Sequence, residues 1–226
     1  MSEFLFDQIN DADYGTYYMP TAWGYTVFAL ILLALLLLAS ALSGRKTASK
    51  LKTKELAFCS VALALAYITS TFIKLVHMPM GGSITLFSML FVCLIGYWYG
   101  LRTGLMTAVA YGLLQLVTNP WIISLPQLLF DYILAFGALG LSGFFANSKN
   151  GLIKGYLAGV GGRLLFSFIS GMAFFASSAA EYGMSAPLYS LLYNGAYIGG
   201  EALLTLAVLL LPPVSNALKR IKSEAL

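Results

Sequence analysis

The chain has 226 residues, 59% hydrophobic and 10% charged, with a mean hydropathy of +0.83 and a formal net charge of +4. That composition excludes a water-soluble globule and belongs to the membrane class. At roughly 20 apolar residues per bilayer-spanning helix, the length holds about six to eight spans and leaves no room for a large extramembrane catalytic domain.

The acidic N-terminus, with Glu3, Asp7, Asp11 and Asp13, lacks the basic start of a signal peptide. A first span is predicted from about Ala22 to Leu42, ending in Gly44-Arg45-Lys46 and followed by Lys50, Lys52 and Lys54. Cytoplasmic loops collect Lys and Arg, so this linker is placed inside and the N-terminus outside. Further spans are predicted at about 55–76, 84–100, 103–119, 125–146, 155–180 and 188–212, making seven. The alternating path puts Arg102, Lys149, Lys154, Lys219, Arg220, Lys222 and the linker in the cytoplasm, eleven of the 13 basic residues. Lys74 and Arg163 are the exceptions. Pro and Gly mark short outer turns at 77–82, 118–121 and 181–187.

Cys59 and Cys93 lie in apolar runs without metal-ligand spacing and read as small core residues. Gly96, Gly100 and Gly104, Gly155 with Gly159, and Gly195 with Gly199 repeat every four residues, the pattern of close helix packing. No phosphate-binding loop occurs, so ATP hydrolysis is not expected of this chain, and neither a cofactor nor a metal is called for.

Charges within the bilayer are costly and mark sites by default. Three stand out: Asp131, Arg163 and Glu201. Gln127 precedes Asp131 by one helical turn; Arg163 shares a face with Ser167, Ser170 and Phe174; Ser190, Asn194, Tyr197 and Glu201 form a third stripe. One reading pairs Asp131 with Arg163 as helix glue. The other notes Trp121, Tyr132, Phe174, Phe175, Tyr182, Tyr189 and Tyr193 at the outer ends of the same spans, since rings beside a carboxylate suit a planar cation. An intramembrane enzyme acting on a lipid-linked or prenyl substrate would need Asp131 and Glu201 to converge at one depth. A purely structural bundle would leave no cavity.

The stretches Gly96-Tyr97-Trp98-Tyr99-Gly100-Leu101-Arg102-Thr103-Gly104-Leu105, Asp131 to Gly140, and Leu188-Tyr189-Ser190-Leu191-Leu192-Tyr193-Asn194-Gly195 resemble the thiamine-specific S-components of energy-coupling factor (ECF) transporters, the ThiT/YuaJ family. The resemblance covers roughly residues 55–212. It implies an all-α membrane protein: a six-helix substrate-binding domain at 55–226 with a short cytoplasmic tail, here preceded by an appendage at 1–54 carrying the extra helix. It also implies thiamine, or a related pyrimidine or thiazole compound, as ligand, and no enzymatic activity. The implied partners are a transmembrane coupling subunit, two cytoplasmic ATPases and the bilayer of a bacterial plasma membrane, with no nucleic acid.

On this resemblance Asp131 balances the thiazolium charge, Trp121, Tyr132, Phe175 and Tyr189 enclose the rings, Gln127, Ser167 and Asn194 supply hydrogen bonds, and Arg163 either holds Asp131 or meets a ligand hydroxyl or phosphate. Ser167 stands where well-known members carry histidine, and Phe175 where they carry tryptophan. A tryptophan and a glutamate of the family align with Gly82 and Leu86. The family's A-x-x-x-A coupling face reads here as Ala57 and Val61, with Ser60 and Ala64 as a shifted substitute.

Overall fold

Ser124 accepts a hydrogen bond from the Gln127 backbone N–H at 3.2 Å, and Pro126 sits in the first turn that follows. Together they satisfy an otherwise orphaned donor and pre-set the helical φ, which is why a membrane helix begins here, directly above the polar residues Gln127 and Asp131.

The computed structural model describes residues 2–11, 15–24, 26, 27, 30, 53–118 and 120–226. The extra span expected at 22–42 and the basic linker after it lie largely outside these residues. Near the N-terminus β1 (Phe6–Asp11) pairs antiparallel with β2 (Gly15–Pro20). After the linker come α1 (Thr53–Phe72), a hairpin of β3 (Lys74–His77) and β4 (Ser83–Thr85), α2 (Ser88–Tyr99) and α3 (Leu101–Thr118). They are followed by α4 (Leu125–Phe145), α5 (Gly151–Phe174), the short α6 (Ala176–Glu181), α7 (Ala186–Leu209) and α8 (Pro212–Ala225).

The helices α1, α4, α5 and α7 are long and apolar enough to cross a membrane. At 12 residues α2 is short, and it is buried along nearly its whole length, with Met89, Val92 and Ile95 fully enclosed. It is the centre of the bundle: α1, α3, α4 and α5 all pack on it. Leucines such as Leu165 on α5 and Leu203 on α7 face outward, where lipid replaces core as their apolar surrounding.

Inside α4 the winding changes. Leu129–Leu134 form a π-helical stretch and Ala138–Phe145 a 3₁₀ stretch. A π-turn shifts the side chains that follow it and recurs at functional sites; here it carries Asp131 and Tyr132. The distortion is accommodated by α3, where a Cβ on Gly112 would lie 1.9 Å from the Tyr132 carbonyl oxygen.

Glycine packing follows the expectation at four positions and departs from it at three. A Cβ on Gly96, Gly104, Gly155 or Gly159 would strike a neighbouring helix at 2.2–2.8 Å. Gly195 and Gly199 face open space instead. Gly100 also faces open space, and its φ of +90° ends α2 with its N–H bonded to the Gly96 carbonyl, a conformation only glycine adopts without strain.

Three boundaries differ from the sequence reading. The continuous span at 155–180 breaks at Phe175 (φ −117°, ψ 26°) into α5 and α6. The turn at 77–82 is a β-hairpin tip, with Met80 (φ 58°) and Gly81 (φ 87°) both left-handed. The tail after residue 212 is an ordered helix, α8, that folds back under the bundle. Lys222 Nζ donates to the carbonyls of Tyr97 and Ala146 and sits 3.8 Å over the Tyr97 ring, Lys54 reaches the Glu224 carbonyl, and Tyr99 OH bonds the Ala225 carbonyl at 3.2 Å.

Candidate functional site

A cavity of about 150 Å³ opens between α3, α4, α5, α7 and the β3–β4 hairpin. All nine residues singled out from the sequence line it: Trp121, Gln127, Asp131, Tyr132, Arg163, Ser167, Phe175, Tyr189 and Asn194. Phe174, the last member of the stripe read from Arg163, instead packs on Phe130 at 6.2 Å and stays out of the cavity lining. The break after α5 is what turns Phe175 rather than Phe174 toward it.

Polar atoms on the α4 wall are organised around Gln127. Its side-chain amide donates to Asp131 Oδ2 at 2.6 Å and to the Trp121 carbonyl at 3.1 Å, while its Oε1 accepts from the Ile123 N–H at 3.2 Å. Tyr132 OH accepts from the Trp121 N–H at 2.7 Å. The loop that presents Trp121 is therefore bonded three times to the helix that presents Asp131.

Arg163 faces the same cavity from α5. It does not pair with Asp131: among the described residues the ion pair within 4.0 Å is Arg220–Glu224, at 3.4 Å on α8. The Arg163 guanidinium lies 4.2 Å from the Phe136 ring centroid and 5.9 Å from that of Tyr197, held by two ring faces. An aspartate and an arginine thus present opposite charges to one cavity without cancelling at contact distance, contrary to the helix-glue reading.

The α7 wall is a ladder of tyrosines. Tyr182 stacks on Tyr189 at 5.6 Å and Tyr189 on Tyr193 at 5.9 Å, with interplanar angles of 20° and 18°, and Tyr193 meets Tyr197 edge-on. Asn194 joins α7 to α5: its amide donates to the Ser167 carbonyl at 3.2 Å and to Ser190, while its Oδ1 accepts from Tyr197 OH at 3.0 Å. Its side chain is committed to neighbours, so the polar group it sets in place is the Tyr197 hydroxyl.

Glu201 is not part of an acid–base pair. Its carboxylate accepts from Thr85 Oγ1 (2.5 Å), Ser88 Oγ (3.0 Å) and the Met89 N–H (2.9 Å), and it stays outside the cavity lining. The convergence with Asp131 that an intramembrane enzyme would need is absent.

The thiamine transporter protein family (Thia_YuaJ) matches this chain over residues 56–221. The chain belongs to that thiamine transporter family. It is similar to the thiamine transporter ThiT of Bacillus subtilis (strain 168), with 34% identity over 160 residues, 64% of this chain and 80% of the relative. Its fold is similar to that of the solved ThiT of Listeria monocytogenes, with a TM-score of 0.55 at 24% identity, covering 73% of this chain and 94% of the other. Membership makes the chain a multi-pass membrane transport component and not an enzyme.

In this member of the thiamine transporter family the cavity has further walls that the sequence reading did not assign. Tyr193, Tyr197, Phe136, Met80, Lys74 and Gln115 all line it. Tyr197 lies on the stripe that carries Asn194, and Tyr193, one turn before Tyr197, is among the outer-end rings, so both had a signal in the sequence. Lys74, Met80 and Gln115 reach the cavity from a hairpin and from α3, and no spacing in the sequence relates those segments to α4 or α7.

Proposed function

We propose that the chain is the substrate-binding S-component of an ECF-type transporter, capturing thiamine for uptake across a bacterial cell membrane. The observation that carries this reading is an Asp131 carboxylate lining a tyrosine-walled cavity with, among the described residues, no arginine at ion-pair distance. A carboxylate partly withdrawn from water into a ring-lined cavity is stabilised by a compensating cation, and a thiazolium ring supplies one in planar form that suits the faces of Tyr132, Tyr189 and Phe175. Arg163, stacked on Phe136, offers donors to the acceptor groups of the same ligand. Trp121 and Gln127 order the loop beside Asp131, and Ser167 and Asn194 complete the polar lining.

In the same reading residues 55–226 form the binding domain and 1–54 an appendage with its own span, the N-terminus outside and the C-terminus in the cytoplasm. A transmembrane coupling subunit and two cytoplasmic ATPases act on it, docking on the α1 face that exposes Ala57, Ser60, Val61 and Ala64. The similar transporters support the ligand, and the exposed small residues support the docking face.

Titration of the purified protein in detergent, read through tryptophan fluorescence, tests the ligand. Saturable quenching by thiamine at or below micromolar concentration is expected. A flat titration, with an Asp131→Asn variant indistinguishable from the parent, would overturn the assignment.

A further inference from the structure

The wall formed by the β3–β4 hairpin and the start of α2 has no capping side chain of its own. The residue before α2 is Phe87, in the left-handed region at φ 64°, and it makes no cap hydrogen bond. A bulky residue in that conformation persists only where its surroundings hold it. What holds it is on α7: the Glu201 carboxylate, 3% exposed, takes the Thr85 hydroxyl, the Ser88 hydroxyl and the Met89 N–H, the first two belonging to cavity-lining residues. Two turns earlier on the same face of α7, the Tyr193 hydroxyl bonds the Pro79 carbonyl and accepts the Gly82 N–H at 3.0 Å. Between them a Cβ on Gly200 would lie 2.8 Å from the Ile84 side chain, so α7 and this segment are in direct contact.

We propose that Glu201 is a positioning residue of the binding site: it touches no ligand, and by standing in as the N-cap of α2 it fixes the wall from Ser83 to Ser88 against α7, so that the bound ligand's residence depends on it. The proposal rests on the binding function above for its ligand, and on geometry alone for the clamp. The role is one of reach, not of charge. Both hydroxyl donors can reverse and accept, so a glutamine at 201 satisfies Thr85, Ser88 and the Met89 N–H with an amide of the same length. An aspartate keeps the charge and is one methylene too short.

The test compares E201Q, E201D and E201A as full-length proteins. Amide hydrogen exchange of the ligand-free proteins is expected to rise over residues 83–89 in E201D and E201A, with α7 as protected as in the parent, and to stay near the parent in E201Q. Dissociation of bound thiamine is expected to accelerate by about tenfold or more in E201D, as leaving a buried donor without its partner implies, and to change little in E201Q. E201D matching the parent while E201Q fails would mean that the charge acts directly on a cationic ligand, and it would overturn the proposal; so would unchanged exchange at 83–89 in all three. Should E201A not fold, E201D and E201Q carry the comparison alone. A parent protein that binds no thiamine would count against the proposed function and leave the exchange result to decide the clamp.

Discussion

Gln127 and Asp131 stand one turn apart on α4, joined at 2.6 Å, and the same Gln127 amide also holds the Trp121 carbonyl. One buried side chain, 1% exposed, thereby sets both the direction of the carboxylate and the position of the loop beside it. Gln127→Leu keeps the volume and removes three hydrogen bonds, leaving the Ile123 N–H and Trp121 carbonyl without this partner. A loss of about 1–3 kcal/mol in thiamine binding is expected, measured by isothermal titration. Parent-like affinity would show that Asp131 is oriented by something else.

Arg163 and Asp131 are separate charges, so their removal has separate effects. Asp131→Asn abolishes the compensation of a cationic ligand, and about a hundredfold weaker binding of thiamine is expected, of the order that removing one member of an interfacial charge pair costs. A neutral analogue lacking the thiazolium charge would bind the variant and the parent within a fewfold of each other. Equal losses for charged and neutral ligands would assign Asp131 to packing.

Gly112 is where α3 makes room for the π-helical stretch. Placing a methyl group 1.9 Å from the Tyr132 carbonyl forces α3 and α4 apart, so Gly112→Ala is expected to cost about 1–3 kcal/mol and to lower the melting temperature, with ligand affinity falling as Asp131 and Tyr132 shift. Gly195→Ala, at an open position on α7, serves as the control and is expected to melt like the parent.

Lys222 binds the bundle to α8 through carbonyls of Tyr97 and Ala146. Burial pushes its ammonium below the usual lysine range. The unfolded chain therefore binds the proton more readily than the folded one, and this group's contribution to stability rises as pH climbs from the depressed folded value toward 10.5. Protease cleavage within 212–226 is expected to slow, not quicken, over that window. Lys222→Met removes the donor, costs about 1–2 kcal/mol and abolishes the pH dependence.

The exposed stripe on α1 is independent of the cavity. Val61, 58% exposed, and Ala57, Ser60 and Ala64 beside it face away from the core. Val61→Trp is expected to leave thiamine binding unchanged in purified protein and to lower uptake in cells by about tenfold or more, because a bulky ring prevents close helix approach. Uptake at the parent rate would move the coupling surface elsewhere.

The membrane class and the polar stripes were legible in the linear chain because hydrocarbon penalises every buried charge and because helical spacing places Gln127 with Asp131, whereas the nine residues found around the cavity were named through the family resemblance. The family was legible for a related reason: its motifs are local runs of residues. Tertiary structure decided what each charge does. Arg163 rests on Phe136 and not on Asp131, Glu201 bonds Thr85, Ser88 and Met89 outside the cavity lining, and Lys74, Met80 and Gln115 join a wall from distant segments. Those outcomes depend on which helix lies against which, through contacts spanning more than a hundred positions in cases such as Glu201 with Thr85 and Tyr193 with Gly82, and periodicity within one helix carries no information about its neighbour.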